Sequence, residues 1–202
     1  TVQPPPMFPA HPTRPARTLT PAQLAAYEAV RTSFSTHSVC LLHGAPSSGK
    51  TEIFLHLILD TLRAGCQALY LLPEIAVTTQ MTDRLADVLG DRLLVYHSGL
   101  SDRERAAVWR RLLHTNDAPQ VVVGVRSSLF LPFSRLGLIV VDEEHEPSYK
   151  QNDPAPRYHA RDAAIMLAVM HGAHALLGSA TPSLESYFHA RTHKYGLVTL
   201  TE

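Results

Sequence analysis

The sequence has 202 residues, of which 45% are hydrophobic, and its lysines and arginines balance its aspartates and glutamates at 18 each. A chain of this length and composition forms one ordinary domain and is too apolar to be mainly disordered. No apolar run approaches the ~20 residues that span a bilayer, and residues 1–10 lack the layout of a signal peptide, so a soluble cytoplasmic protein is expected. Because the net charge is zero, any binding of nucleic acid must come from a local surface.

The start of the chain is rich in proline. Prolines stand at Pro4, Pro5, Pro6, Pro9, Pro12 and Pro15. This density disfavours helices and central strands and predicts a proline-rich linker over residues 1–18. From Leu19 the pattern changes, because Thr20 can cap a helix that has Pro21 at its first position. The only cysteines are Cys40 and Cys66, too few for a disulfide framework or a cysteine-rich zinc site, so no zinc ligands are expected.

Short apolar runs alternate with amphipathic stretches after the first helix. Strands are predicted at 39–42, 68–72, 93–96, 121–123, 138–141 and 175–177, and helices at 51–63, 76–89, 102–113, 161–170 and 183–190. Apolar strands that alternate with helices are typical of a parallel sheet buried on both faces. The sequence therefore predicts an α/β sandwich. The polar and aromatic stretch 146–159 is long for a structureless connection, which favours a functional loop.

One glycine-rich segment matches the phosphate-loop pattern G-x-x-x-x-G-K-[ST], between a predicted strand and a predicted helix. Its residues are Gly44, Ala45, Pro46, Ser47, Ser48, Gly49, Lys50 and Thr51. Such a loop turns its backbone N–H groups around phosphates at a helix N-terminus. Lys50 would then reach the β and γ phosphates, and Thr51 would offer its hydroxyl to Mg²⁺. A glycine-rich turn that caps an ordinary helix is the alternative.

Acidic residues follow the predicted strand 138–141, in the order Asp142, Glu143, Glu144. Two acids at the carboxyl end of a strand beside a phosphate loop can hold Mg²⁺ and orient the attacking water. We assign Asp142 to the metal and Glu143 to the water, with Lys50 as the third catalytic candidate. ATP is favoured over GTP because the chain has no N-K-x-D sequence for reading guanine. An acidic turn on a solvated edge is the alternative interpretation.

Several longer sequence motifs point to a family more specifically than the phosphate loop and the acids do. They are Leu72–Ile75 (LPEI), His97–Ser101 (HSGLS), Gly124–Phe130 (GVRSSLF), Asp142–His145 (DEEH), Ser148–Gln151 (SYKQ), Arg157–Asp162 (RYHARD) and Gly178–Tyr187 (GSATPSLESY). The DEEH sequence is similar to a DEAH-type helicase box, and GSAT is similar to the helicase motif that links this box to DNA. Together the phrases resemble the PriA family of bacterial primosomal replication-restart helicases, which belong to superfamily 2. The resemblance covers nearly everything from Leu19 onward.

The resemblance implies a P-loop, RecA-like three-layer sandwich with a mostly parallel sheet, with residues 19–202 as the first, ATP-binding helicase lobe. It implies an ATP-dependent 3′ to 5′ DNA helicase, an ATP hydrolase that acts at stalled forks in primosome assembly, DNA replication and replication restart. Expected cofactors are ATP and Mg²⁺, and expected partners are single-stranded and forked DNA and replication-restart proteins. The second helicase lobe and the N-terminal DNA-binding domain of the family are expected to be absent from this chain.

The resemblance also implies which residues contact the nucleotide and DNA, at each position where this sequence matches a family motif. Gln23 matches the leading motif that contacts adenine in such helicases, although an ordinary helix start would look similar. The DNA-binding candidates are Pro73, Glu74, Arg126, Ser127, Tyr149, Lys150, Arg157 and Tyr158, with His159 beside them. Arginines and hydroxyls at strand ends bind phosphates without reading sequence, and aromatic rings stack on bases. A merely solvated loop is the alternative for residues 146–159.

The sequence departs from the family pattern at Ser47, where members usually have glycine, because the phosphate loop can require a conformation that disfavours a Cβ. This departure keeps open a noncatalytic fork-binding scaffold with a decayed ATP site. A third interpretation is another superfamily 2 motor, such as a fork-remodelling or restriction translocase. The phrases around Tyr149 and Arg157 argue against it.

Overall fold

The computed structural model describes residues 14–113 and 120–200. Its seven strands are β1 (Val39–Gly44), β2 (Gln67–Leu71), β3 (Leu93–Tyr96), β4 (Val121–Gly124), β5 (Leu136–Asp142), β6 (His174–Ser179) and β7 (Gly196–Leu200). Its six α-helices are α1 (Pro21–Ser33), α2 (Lys50–Arg63), α3 (Thr79–Leu89), α4 (Asp102–Leu113), α5 (Ala160–His171) and α6 (Leu184–Arg191). The α/β class predicted from the alternating pattern is confirmed.

All seven strands form one parallel sheet in the order β3-β4-β2-β5-β6-β1-β7. Two apolar layers cover it, because α1, α2 and α3 pack on one face and α4, α5 and α6 pack on the other. The central strands are buried on both faces, which is why they read as continuous apolar runs. The carboxyl ends of parallel strands meet at one edge, so the phosphate loop, the acids and the other strand-end motifs all gather there.

The six predicted strands are present, but β7 was missed. Its residues alternate between buried and exposed positions, as is usual for a strand at the edge of a sheet. That period of two in Gly196–Leu200 is a signal that sequence reasoning could have used. Among the helices in the part of the chain that the structure describes, none has the length and apolarity needed to cross a membrane.

The first helix begins where its capping residues predict. Thr20 Oγ1 accepts a hydrogen bond from Gln23 N (3.3 Å), and Gln23 Oε1 accepts one from Thr20 N (3.0 Å). This reciprocal pair is a capping box, with Pro21 at the first helical position. Most of the predicted linker, residues 1–13, lies outside the described residues. Residues 14–18 lie against α2 and α3.

Candidate nucleotide and DNA site

The phosphate loop joins β1 to α2. Lys50 is the first residue of α2, and its side chain is buried inside the loop, where Nζ donates to Gly44 O (2.9 Å) and Ala45 O (3.2 Å). These neutral carbonyl groups hold the Lys50 ammonium at the place where the phosphate-loop sequence pattern predicts the phosphates of a nucleotide. Ser48 Oγ is buried and has no hydrogen-bond partner among the described residues. The loop thus presents a cation and an unused hydroxyl, which suits a phosphate group.

Two residues of the loop have left-handed backbone conformations. Gly49 has φ 87° and Ser47 has φ 63°. A left-handed residue with a Cβ costs about 1–2 kcal/mol, which glycine avoids. The departure at Ser47 therefore falls on a position where glycine would be favoured, yet the loop retains the conformation with the serine in place.

The acids follow β5 on the same edge of the sheet. Asp142 Oδ2 accepts a hydrogen bond from Tyr70 OH (2.8 Å), and Oδ1 accepts one from Glu143 N (3.0 Å). Burial raises the pKa of Asp142 to about 6, opposed by the Tyr70 hydrogen bond and the Lys50 charge and reinforced by the Glu143 charge. Tyr70 was not predicted from the sequence. Its hydroxyl fixes the orientation of the carboxylate assigned to the metal.

A cavity of about 550 Å³ joins the phosphate loop to the acids. Its lining residues are Arg17, Thr18, Thr20, Gln23, Ser47, Gly49, Lys50, Thr51, Glu52, Arg84, Asp142 and Glu143. Thr51 and Asp142 both face this cavity, as a Mg²⁺ site between them requires. Within residues 14–113 and 120–200, no group of three or more His, Cys, Asp or Glu side chains is arranged to hold a metal ion by itself. Mg²⁺ beside a nucleotide takes most of its ligands from phosphates and water, so a hydroxyl and a carboxylate fit it.

Gln23 lines the same cavity, beside the phosphate loop. Its side chain spans two elements, because Nε2 also donates to Ser48 O (3.2 Å) while Oε1 caps α1. The amide keeps one N–H and one lone pair for a ligand. The adenine contact predicted for Gln23 stays a prediction, with a geometry that leaves it the required donor and acceptor.

The turn after β5 is joined to the turn after β6 by His145. Its Nδ1 lies 2.8 Å from Ser179 Oγ and its Nε2 lies 3.2 Å from Thr181 Oγ1. Glu143 Oε2 is 3.7 Å from the same Nδ1. The DEEH and GSAT sequences are therefore in direct contact, although they are far apart in the chain.

Glu144 is the largest omission of the sequence interpretation. It is fully buried, and it accepts hydrogen bonds from Ser183 N (2.6 Å), Ser186 Oγ (2.9 Å) and Arg161 Nη1 (3.0 Å). Arg161 Nε also donates to Asp162 Oδ1 (2.8 Å). This cluster fixes the start of α5 and α6 to the acidic turn. Its only sequence signal was a third acid after a buried strand.

Six of the predicted DNA residues, together with the neighbouring His159, lie at or near the surface of this edge. Arg126, Tyr158 and His159 are partly exposed, and Glu74, Ser127, Lys150 and Arg157 are exposed. Arg126 Nη1 donates to Ser148 O (3.2 Å) and to Lys150 O (3.3 Å), and Tyr158 OH donates to Arg126 O (3.3 Å). The structure thus brings the GVRSSLF phrase and the 146–159 loop into one surface. Their binding to DNA stays a prediction.

Two of the predicted DNA residues are buried and cannot contact DNA in this conformation. Tyr149 is 1% exposed, and its hydroxyl donates to Asp142 O (2.7 Å) and Leu71 O (3.1 Å). Its ring therefore cannot stack on bases, and the residue instead ties the loop to two strand ends. Pro73 is also buried, and its carbonyl accepts from Ala76 N (2.9 Å), so it shapes a turn.

Comparisons with known proteins agree with these motifs. The profile of the DEAD/DEAH box helicase family matches residues 20–188. Replication restart protein PriA of Bacillus subtilis (strain 168) is 47% identical over 184 residues, which are 90% of this chain and 22% of that protein. PriA of Rickettsia typhi is 48% identical over 160 residues, which are 79% of this chain and 24% of that protein. The chain thus spans under a quarter of the length of these relatives.

Solved structures agree on the fold. RecG bound to a three-way DNA junction superimposes with a TM-score of 0.64 at 22% identity, over 91% of this chain and 24% of that one. The helicase MrfA bound to DNA gives a TM-score of 0.63 at 17% identity, over 91% of this chain and 27% of that one. These superpositions confirm the RecA-like α/β sandwich. The identities to the two PriA proteins confirm the PriA resemblance, and the chain belongs to the DEAD/DEAH box helicase family.

Proposed function

We propose that this chain is the ATP-binding lobe of an ATP-dependent 3′ to 5′ DNA helicase that acts in the cytoplasm at stalled forks, in primosome assembly and replication restart. The observation that carries the proposal is the gathering of a complete phosphate loop and two acids around one cavity, in a chain 47% identical to PriA of Bacillus subtilis. The chain spans 22% of that relative, and we infer that the second lobe and the DNA-binding domain implied by the resemblance belong to parts of the full protein outside this chain.

The ATP chemistry is assigned to four residues. Lys50 exchanges its carbonyl partners in the loop for the β and γ phosphates, since an ammonium binds phosphate oxygens more strongly than neutral carbonyls. Thr51 and Asp142 would hold Mg²⁺, which when bound would neutralise charge on the phosphates. Glu143 orients the attacking water. Its backbone is left-handed (φ 46°), and it lines the same cavity as Asp142.

The DNA partner is assigned to the surface formed by Arg126, Ser127, Lys150, Arg157 and Tyr158. Arginine and lysine at this surface would bind phosphates, and the half-buried Tyr158 ring would contact a base. The solved relatives RecG and MrfA are themselves bound to DNA, which supports DNA as the partner of this fold. Replication-restart proteins are proposed partners because the relatives carry that name.

A noncatalytic scaffold is not favoured. The hypothesis of a decayed ATP site rested on Ser47, and that serine adopts the left-handed backbone conformation at its position in the loop. Lys50, Thr51, Asp142 and Glu143 are all present around the cavity. The chain's similarity is to helicases throughout residues 20–188.

Calorimetric titration of the 202-residue chain with Mg-ATP tests the nucleotide site. We expect weak binding that Lys50→Ala abolishes, because that substitution removes the cation at the centre of the loop. Lys194→Ala is the matched control, since Lys194 is exposed and stands outside the cavity lining. Equal affinity of the wild-type chain and Lys50→Ala would show that the loop is not the site.

A further inference from the structure

Tyr70 of β2 is a buried residue beside the proposed Mg²⁺ site, and none of the motifs contains it. It is 1% exposed. Its register partner in β5 is Val140, and Asp142 stands two residues further along β5, on the same face of the sheet. The Tyr70 hydroxyl therefore reaches the end of β5, where it donates to Asp142 Oδ2 (2.8 Å).

The Tyr70 ring also packs against α2. Phe54 meets it in an edge-on arrangement, with 5.9 Å between the ring centroids. Thr51 is one helical turn before Phe54, on the same side of α2. The Thr51 side chain is a hydrogen-bonding neighbour of the Tyr70 hydroxyl. One buried hydroxyl thus stands between the two side chains that are assigned to Mg²⁺, one on α2 and one at the end of β5.

Two hydrogen bonds orient the carboxylate of Asp142. The bond from Glu143 N to Oδ1 (3.0 Å) comes from the next residue of the same turn. Among residues 14–113 and 120–200, Tyr70 is the one hydrogen-bond donor that ties this carboxylate to another strand. Each carboxylate oxygen keeps a lone pair after these two bonds, so the carboxylate is fixed and can still bind an ion or a water of its shell.

We propose that Tyr70 is a positioning residue for Mg²⁺, because its hydroxyl holds in place the two side chains, Thr51 and Asp142, that would bind the ion. The proposal rests on the ATP site proposed above and adds a residue to it. Tyr70 is not among the residues that line the cavity, so it would act through Thr51 and Asp142 and touch neither the nucleotide nor the ion. Removing a partner that orients a metal ligand typically lowers metal affinity about 10–100-fold.

Calorimetric titration of the 202-residue chain with Mg-ATP, and with ATP in EDTA, separates the ion from the nucleotide. We expect Tyr70→Phe to lower the affinity for Mg-ATP about tenfold and to leave the affinity for metal-free ATP unchanged. The lower end of the range is expected because Mg²⁺ beside a nucleotide takes most of its ligands from phosphates and water. Equal losses for both ligands would assign Tyr70 to the shape of the nucleotide pocket and overturn the proposal. An unchanged affinity for Mg-ATP would overturn it as well.

Tyr149→Phe is the matched control, since it removes a second buried hydroxyl from the same strand ends. The Tyr149 hydroxyl donates to the backbone carbonyls of Asp142 (2.7 Å) and Leu71 (3.1 Å), whereas that of Tyr70 donates to the carboxylate. We expect Tyr149→Phe to bind Mg-ATP as the wild-type chain does. A tenfold loss in this variant too would indicate a general loosening of the strand ends and would refute a specific role of Tyr70.

A double-mutant cycle tests whether Tyr70 acts through Asp142. Asp142→Asn should itself weaken the binding of Mg-ATP, and in that background we expect Tyr70→Phe to cause a further loss of less than about threefold. A second full tenfold loss would show that the two residues act independently and would contradict the proposal. If wild type and Lys50→Ala bound Mg-ATP equally, the proposed function itself would fail, which is a different outcome.

Discussion

Removing Arg161 should destabilise the protein far more than removing an exposed arginine. Glu144 is fully buried and accepts hydrogen bonds from Ser183, Ser186 and Arg161, and only the arginine supplies a compensating charge. Arg161→Met keeps most of the side-chain volume and leaves the carboxylate buried without a cation.

The expected cost follows from the burial of the pair. Breaking a buried ion pair from one side costs about 3–5 kcal/mol, because an uncompensated charge stays in the interior. The pair of Arg63 with Asp60 also joins an arginine to a carboxylate, but it lies at the surface, where such pairs contribute about 0–1 kcal/mol. For a chain of this size, 3–5 kcal/mol lowers the melting temperature by roughly 6–20 °C.

Urea denaturation and thermal melting of Arg161→Met, Arg63→Ala and the wild-type chain measure this difference. The double variant Glu144→Gln, Arg161→Met should recover part of the loss, since it removes the buried charge together with its partner. An Arg161→Met protein within about 1 kcal/mol of wild type would refute the reasoning, since the carboxylate would then not depend on the arginine.

Three further substitutions and one activity assay have defined outcomes. Tyr149→Phe should cost about 1–2 kcal/mol in urea denaturation through its two lost hydrogen bonds, and anisotropy should find DNA affinity unchanged because the ring is buried. Arg126→Ala should weaken binding of single-stranded DNA and reduce the salt slope by about 1; binding that is indifferent to this change would argue against the proposed surface. Ser47→Gly should alter the free energy of unfolding by less than about 1 kcal/mol, since relief of the left-handed conformation is offset by the entropy of glycine. A phosphate-release assay should find almost no turnover by the 202-residue chain, because an arginine from a second lobe is worth about 10³–10⁵ in rate; substantial turnover would contradict the two-lobe mechanism.

The sequence by itself determined the features that local patterns encode. Apolar runs buried on both faces predicted six of the seven strands, and the spacing of Gly44–Thr51 between a strand and a helix predicted the phosphate loop. Strand ends in a parallel sheet share one edge, so the motifs that follow them were expected together. The edge strand β7 was missed because its alternating pattern is weaker than a continuous apolar run.

Only the tertiary structure decided which side chains meet across the sheet and its helices. Nothing in the spacing of Glu52 and Arg84, or of Glu144 and Arg161, specifies a contact, because each pair is brought together by the packing of separate helices and turns. The sequence also did not reveal that Tyr149 is buried. Its motif is rich in aromatic and basic residues, which suggested an exposed DNA-binding surface, but the ring lies in the interior. Local periodicity specifies which face of an element is apolar, whereas a long-range contact depends on strand order and helix placement, which no single segment of the chain contains.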